Sequence, residues 1–325
     1  MITYMFNITY INTKWEHFKD KYIKKYIPSY ELVQEPADTI GDLDATNDYI
    51  YSLLNSSKPC MISRYGDSEL GCAINYVRGR HPFWFLRTIF PFWVLPYVSK
   101  HICNNAGFFP NSNKYFSKYS DRLVCSAKEV DLLGSWLGSW ERFFEPLCHY
   151  KKCKIGYTHP FFAKRPWSRV LKGKKVLVVH PFSETIKKQY QRRELLFDNP
   201  DILPEFSSLR IVKAIQSMGG ENNGFKNWFE ALEYMEREID KEDYDVAIIG
   251  CGAYGMPLAA HCKQMGKKAI HLGGALQLLF GIAGNRWLND FGEDYHKLCS
   301  NPYWVRPSQS ERPKNADSVE DACYW

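Results

Sequence analysis

The chain has 325 residues, of which 45% are hydrophobic and 16% aromatic. That is ample core material for one large α/β domain or two modest ones and excludes wholesale disorder. The formal net charge of +6 is mild, and the bases are scattered over Lys19 to Lys25, Lys151 to Lys154, Lys172 to Lys175 and Lys187 to Arg193, which suits an anionic small molecule or an anionic membrane surface and gives no support to a nucleic-acid partner.

Residues 1–44 mix aromatic, apolar and basic residues without firm periodicity and read as an N-terminal extension carrying one helix around Trp15 to Tyr26. Helical spacing of Ile50, Leu53 and Leu54 predicts a helix over Asp44 to Leu54, followed by a short apolar strand from Pro59 to Ser63 and a helix from about Ser68 to Val77. Phe83 to Val98 is strongly apolar and aromatic but is broken by Arg87, Pro91 and Pro96. It is short for a membrane span and reads as a buried helix–loop piece, with peripheral contact to a membrane surface as the alternative. Asn104 to Pro110 reads as a loop. Asn113 to Phe144 is expected to form two helices parted near Gly134 or Gly138, with a strand over Val124 to Ala127 as the competing assignment. Tyr157 to Trp167 reads as a loop near a site.

From Lys174 onward the pattern sharpens. Lys175 to His180 is a continuous apolar run of the kind a buried parallel strand requires. Ser208 to Val212, Asp245 to Gly250 and Lys268 to Leu272 follow as strands, separated by helices over Glu184 to Phe197, Phe225 to Ile239 and Tyr254 to Met265. Strands alternating with helices predict an α/β fold, a Rossmann-like, mostly parallel sheet with flanking helices. The tail from Asn301, rich in prolines and aromatics, is expected to wrap the body.

Three clusters carry chemistry. After the first strand come Arg64, Gly66, Asp67 and Glu69. In an extended turn, residues two apart point the same way, so Asp67 and Glu69 could converge on one hard cation. Such an ion completes its shell with water and substrate phosphates, and Arg64 is suited to gripping a phosphate in two places. A helix cap at Asp67 or Ser68 explains the same residues without a ligand. Second, Gly250-Cys251-Gly252-Ala253-Tyr254-Gly255 follows a strand and opens a helix, fitting a GxGxxG phosphate loop. The acid that would hold a dinucleotide ribose is missing, because the next strand ends in His271-Leu272-Gly273-Gly274. Close helix–strand packing explains these glycines as well. Third, His180 and Glu184 flank a strand end, where either could serve as base or ligand, and His271 has the same standing. Gln189, Arg192 and Arg193 lie further along, where a base could neutralise phosphate.

The ten cysteines show no CxxC pair, so a reducing compartment is expected and a disulfide framework is not. No signal-peptide pattern is visible at the N-terminus, and the expected location is the cytoplasm, extending to the cytoplasmic membrane face.

Ser63-Arg64-Tyr65-Gly66-Asp67-Ser68-Glu69 resembles the RxGDxE signature, with its DxE metal motif, of bacterial GT-D-type glycosyltransferases. The run from Trp167 to Trp287 is similar to a surface-polysaccharide-associated branch of that group. The matching pieces include Val179-His180-Pro181-Phe182, Gln189-Tyr190, the Gly250–Gly255 loop, His271-Leu272-Gly273-Gly274-Ala275, Phe280-Gly281-Ile282 and Arg286-Trp287, with a tail match at Tyr324-Trp325. The likeness covers roughly residues 45–325. It implies a GT-D-type fold, a nucleotide-diphosphate sugar donor, a glycan or lipid-linked acceptor, and transfer assisted by Mn²⁺ or Mg²⁺. Asp67 and Glu69 would hold the metal–diphosphate, with Arg64 nearby; Gly66, Gly250, Gly252, Tyr254 and Gly255 would line the nucleotide side. Glu184, His180 and His271 are the candidate bases. Trp167 or Tyr254 could stack on a base or sugar ring. The alternatives are an NAD(P)-dependent oxidoreductase using the glycine loop, and a non-catalytic nucleotide-sugar-binding protein.

Overall fold

The computed structural model describes residues 39–79, 95–145, 148–289, 291–313, 315–319 and 322–325. The helix expected around Trp15 to Tyr26 lies outside them, as does the aromatic stretch from Phe83 up to residue 94.

The described residues form one eight-stranded sheet in which every pairing is parallel. In chain order the strands are β1 (Thr39–Ile40), β2 (Cys60–Ser63), β3 (Leu132–Ser135), β4 (Lys151–Lys154), β5 (Lys175–His180), β6 (Ser208–Lys213), β7 (Val246–Ile249) and β8 (Lys268–His271). Across the sheet the order is β1-β4-β3-β2-β8-β7-β5-β6. The α/β fold with a parallel sheet is therefore as expected, and the edge strand at residues 39–40 joins it by pairing with β4.

Strand alternation splits the core into two layers. Met61, Leu177, Val179, Ala247 and Ile249 face one layer, while Cys60, Ile62, Val176, Val178 and Ile248 face the other. Helices cover both faces, which is why these strands carry no polar side. Helix α1 (Leu43–Asn55) starts at Asp42, whose carboxylate accepts from Ala45 N at 2.7 Å, and buries Thr46, Ile50 and Leu54 at four-residue spacing. Then follow α2 (Asp67–Gly79), α3 (Leu95–Asn105), α4 (Asn113–Ala127), α5 (Ser183–Tyr190), α6 (Trp228–Asp240), α7 (Gly255–Gln264) and α8 (Leu276–Leu279). Helix α6 is capped by Asn227, whose side chain accepts from Phe229 N and Glu230 N.

Two expectations need correction. Val124 to Ala127 is the last turn of α4, with Ser126 and Ala127 turned inward. Gly134 parts no helices; it lies inside β3, and a 3₁₀ turn over Gly138–Phe143 follows. A four-residue strand buried between two others leaves no periodicity to detect. Downstream, the helix expected to reach Phe197 ends at Tyr190, and a 3₁₀ turn over Arg193–Leu195 takes over.

The tail wraps the body as expected. Ile282 bridges Val305, and Trp325 packs edge-on against Phe182 with ring centroids 5.9 Å apart. Among the described residues no helix is long and apolar enough to cross a membrane.

The topology places a crevice at the middle of the sheet. After β2 the chain crosses to one face, where α2 buries Leu70, Ala73 and Ile74 beside Met61. After the adjacent β8 it crosses to the other, where α8 buries Leu276, Leu278 and Leu279 beside Ile270. Neighbouring strands whose connections part in this way leave a gap at their carboxyl ends, the usual ligand position in open α/β sheets.

Candidate functional site

A cleft of about 190 Å³ opens at that edge. The ends of six strands contribute to its lining: Arg64 after β2, Trp136 after β3, His180 ending β5, Ser217 beyond β6, Cys251 after β7 and His271 ending β8. Residues distant in sequence thus share one surface, and they include most of the sequence-nominated candidates. Arg64, Gly66, Asp67, Glu69, His180, Gly250, Gly252, Tyr254 and His271 all line it. Glu184 does not. It is exposed on the first turn of α5, where its backbone N–H donates to the buried carboxylate of Glu311 at 2.7 Å. Gln189, Arg192 and Arg193 also lie away from the cleft lining. Gln189 is buried and donates to Gly281 O and Tyr303 O, while Arg193 sits 3.2 Å from Glu194 and 3.7 Å from Glu205.

The extended-turn geometry expected of Asp67 and Glu69 does not occur. Leu70 N donates to Gly66 O at 2.9 Å, so Gly66 caps α2 and Asp67 opens it. On a helix, residues two apart diverge by about 200°. Asp67 is accordingly exposed at the cleft, whereas Glu69 is 9% exposed and folds its carboxylate back over Gly66. A Cβ at position 66 would overlap that carboxylate, which explains the glycine. Glu69 occupies the third helical position, from which a glutamate reaches back to the cap in a capping box.

Arg64 is held between opposing influences. Burial pushes its guanidinium below the ordinary value, Arg286 adds to that, and Glu69, Tyr324 and Glu141 act against it. An arginine remains charged under such pressure. Its buried Nε has no hydrogen-bond partner, and such an atom is costly to leave unpaired. The guanidinium carbon lies 5.0 Å from the centre of the Trp136 ring. Trp136 is itself fixed: Nε1–H donates to Tyr65 O at 2.8 Å, and its backbone N–H to the fully buried Glu141 at 3.1 Å. It is nevertheless 45% exposed, an oriented aromatic face at the cleft.

The histidines are poor bases here. His180 Nδ1 accepts from Phe182 N–H at 3.0 Å. A backbone N–H can only donate, so Nδ1 is unprotonated and the neutral ring carries its hydrogen on Nε2. His180 therefore presents a donor to an anion and offers no lone pair for a hydroxyl proton. His271 is buried with Nδ1 3.0 Å from Ser63 Oγ, and its Nε2 edge presses on Gly255, where a Cβ would overlap it. Burial pushes both imidazoles down to about 3, with Arg64 adding to the effect on His271. Burial, again assisted by Arg64, takes His159 to about 4.

An unfolded imidazole titrates near 6.5. Between that pH and the folded values, the unfolded chain binds protons that the folded chain refuses. Stability is expected to fall as pH drops through this window, by up to about 1.4 kcal/mol per pH unit for each of the three histidines. Denaturant unfolding at pH 7 and pH 5 measures it, and equal stability at the two would contradict the burial of these rings as neutral species.

The glycine loop is filled by protein. Gly252 has φ +55°, and a Cβ there would lie 2.7 Å from Ala106 O, which also accepts from Ala253 N at 3.0 Å. Gly250 abuts Gly273 O, and Gly255 abuts His271. Close packing accounts for all three. The two aromatics nominated for stacking are core residues: Tyr254 stacks on Trp228 and bonds Ser217 through its hydroxyl at 2.9 Å, while Trp167 is fully buried and donates to Thr158 O.

Among the described residues no three His, Cys, Asp or Glu side chains converge to hold a metal ion. Asp67 and Glu69 are the carboxylates lining the cleft. That donor set fits an ion of the Mg²⁺ kind, which takes one or two carboxylates and draws its remaining oxygens from phosphates and water.

Sequence reasoning assigned no role to Trp136, Gln277, Arg286 or Tyr324, all of which line the cleft. Arg286 and Tyr324 do fall in stretches matching the glycosyltransferase branch, and that was their available signal. Trp136 lay hidden in a segment read as helical.

No protein-family model and no curated protein matches this chain. A solved structure, the selenomethionine-substituted domain of unknown function 1792 (DUF1792), is 13% identical, with 73% of this chain and 78% of that one covered at a TM-score of 0.35. A likeness that loose carries no argument about the site.

Proposed function

We propose that this chain is a glycosyltransferase that moves a sugar from a nucleotide-diphosphate donor to a hydroxyl of a glycan or lipid-linked acceptor. The observation that carries the reading is Arg64: a charged side chain with an unpartnered buried Nε, at the switch point of a parallel sheet, with an exposed carboxylate three residues away. The RxGDxE resemblance at the same residues is its second support.

In this reading the bond from the anomeric carbon to the diphosphate oxygen breaks and a bond to the acceptor oxygen forms. The nucleoside diphosphate leaves with the electron pair, and the acceptor hydroxyl proton passes to its departing oxygen. Arg64 grips phosphate oxygens through its planar fork, and His180 Nε2–H adds a neutral donor. Both favour the charge that develops on the leaving group. Asp67, the exposed carboxylate, would hold Mn²⁺ or Mg²⁺ together with substrate phosphates and water, while Glu69 stays folded back over Gly66. When bound, that ion would supply Lewis-acid neutralisation of the departing diphosphate. Trp136 offers the aromatic face that Trp167 and Tyr254 cannot.

A thermal-shift panel tests this, using UDP-, GDP-, ADP-, CDP- and dTDP-sugars with and without Mn²⁺, beside NAD⁺ and NADPH. A ligand that binds only the folded chain raises its melting temperature by mass action. A metal-dependent rise with one nucleotide sugar, followed by release of its nucleoside diphosphate on incubation, is the expected result. A metal-independent rise with a nicotinamide dinucleotide alone would overturn the reading in favour of an oxidoreductase. Tight sugar-nucleotide binding with no turnover against any acceptor would favour a binding protein.

A further inference from the structure

Arg286 and Tyr324 reach the cleft from the far end of the sequence, and the surroundings are built around them. Arg286 Nη1–H donates to Tyr324 Oη at 3.0 Å, and the guanidinium carbon lies 4.8 Å from the Tyr324 ring centre. The backbone behind is tied down: Arg286 N donates to Cys323 O at 2.9 Å, and Gln277 Nε2, fully buried, donates to Tyr324 O at 3.3 Å. The Tyr324 ring rests on Gly274, where any Cβ would overlap it. A side chain held on this many sides costs little further entropy to use. Arg64 lines the same cleft, its guanidinium beside Gly273 where the Tyr324 ring covers Gly274, and the positive charge of Arg286 bears on it. Two guanidiniums facing one cleft repel each other, and a multiply charged anion between them relieves that repulsion.

We propose that Arg286, positioned by Tyr324, is a second anion-binding arginine that closes with Arg64 on a diphosphate. The inference deepens the donor-binding reading above and rests on it for the identity of the anion. One guanidinium serves each phosphate, so the pair selects diphosphate over monophosphate. Tyr324 acts through Arg286: its hydroxyl holds Nη1 and its ring backs the guanidinium plane, a cation–π arrangement.

Calorimetric titration of the full chain with inorganic pyrophosphate and with inorganic phosphate, in the presence of Mg²⁺, tests this whichever nucleotide the donor carries. Pyrophosphate is expected to bind roughly tenfold or more tightly than phosphate. In Arg286→Gln its affinity should fall about ten- to a hundredfold, the value of a charged hydrogen-bonded contact, while phosphate affinity changes by less than about threefold. Arg286→Lys, which keeps charge and loses the fork, should fall between wild type and Arg286→Gln. Tyr324→Phe keeps the ring and should weaken pyrophosphate several-fold, with an unchanged salt dependence because both cations remain.

Wild-type pyrophosphate affinity in Arg286→Gln would overturn the proposal, as would no pyrophosphate binding by the wild type. If Arg286→Gln fails to fold, unchanged affinity in Arg286→Lys decides against it. Nucleotide-sugar binding that survives Arg286→Gln at full strength would sink the clamp and leave the transferase reading intact. Loss of pyrophosphate binding in a protein that shifts with no nucleotide sugar would do the reverse.

Discussion

Replacing Asp67 with alanine is expected to reduce sugar transfer by at least about a hundredfold, the effect of removing one electrostatic contact made to developing charge. The same change should leave stability within about 0.5 kcal/mol of wild type, because the side chain is exposed on the first helical turn and packs against nothing that needs it. Glu69→Ala should behave differently. Its carboxylate is buried against the helix cap, so activity and stability should fall together, the latter by about 0.5–2 kcal/mol as for other lost caps. Chemical denaturation of the two variants, beside a transfer assay with the donor identified by thermal shift, separates the cases. Full activity in Asp67→Ala would remove this residue from the reaction. Equal stability of the two variants would mean that Glu69 does not cap α2.

Gly252→Ala is expected to destabilise the fold by roughly 2–4 kcal/mol, combining a left-handed backbone cost of about 1 kcal/mol with overpacking of about 1–3 kcal/mol. The backbone there has φ +55°, and the new methyl would meet Ala106 O at 2.7 Å, an atom that cannot retreat because Ala253 N also binds it. Gly71→Ala is the matched control. Position 71 lies inside α2 with nothing within 4 Å of a new Cβ, so alanine there should stabilise by about 0.5–1 kcal/mol. Urea midpoints read the difference directly. If Gly252→Ala proves as mild as Gly71→Ala, these glycines are not packing devices, and the loop regains its claim to a phosphate.

The glycine loop also shows why a motif in its right sequence context can still mislead. A strand, three spaced glycines and a helix are common to phosphate loops and to tight helix–strand crossings, because both need backbone in close approach. What distinguishes them is the neighbour that occupies the space. Here Ala106 O, Gly273 O and His271 occupy it, contributed by residues up to about 150 positions away, and no local pattern reports such contacts.

The elements that the sequence determined by itself are those with a local physical cause. Lys175 to His180 had to be a buried strand, since an apolar run of that length with β-branched residues fits nothing else so well. It is a strand over the same residues. The amphipathic spacing of α1 and the alternation of strands and helices likewise led to the parallel α/β sheet. Arg64, Asp67 and Glu69 were found because they are neighbours in the chain. The direction of each side chain was another matter. Asp67 and Glu69 diverge because the helix begins one residue earlier than expected, and helical geometry turns alternate residues apart. His180 became a donor because a backbone N–H two residues on claims its Nδ1. Trp136 meets Arg64 because the sheet order sets β3 beside β2, and Arg286 and Tyr324 join the same cleft from the far end of the chain. Those meetings span tens to hundreds of residues, so tertiary structure alone decided them.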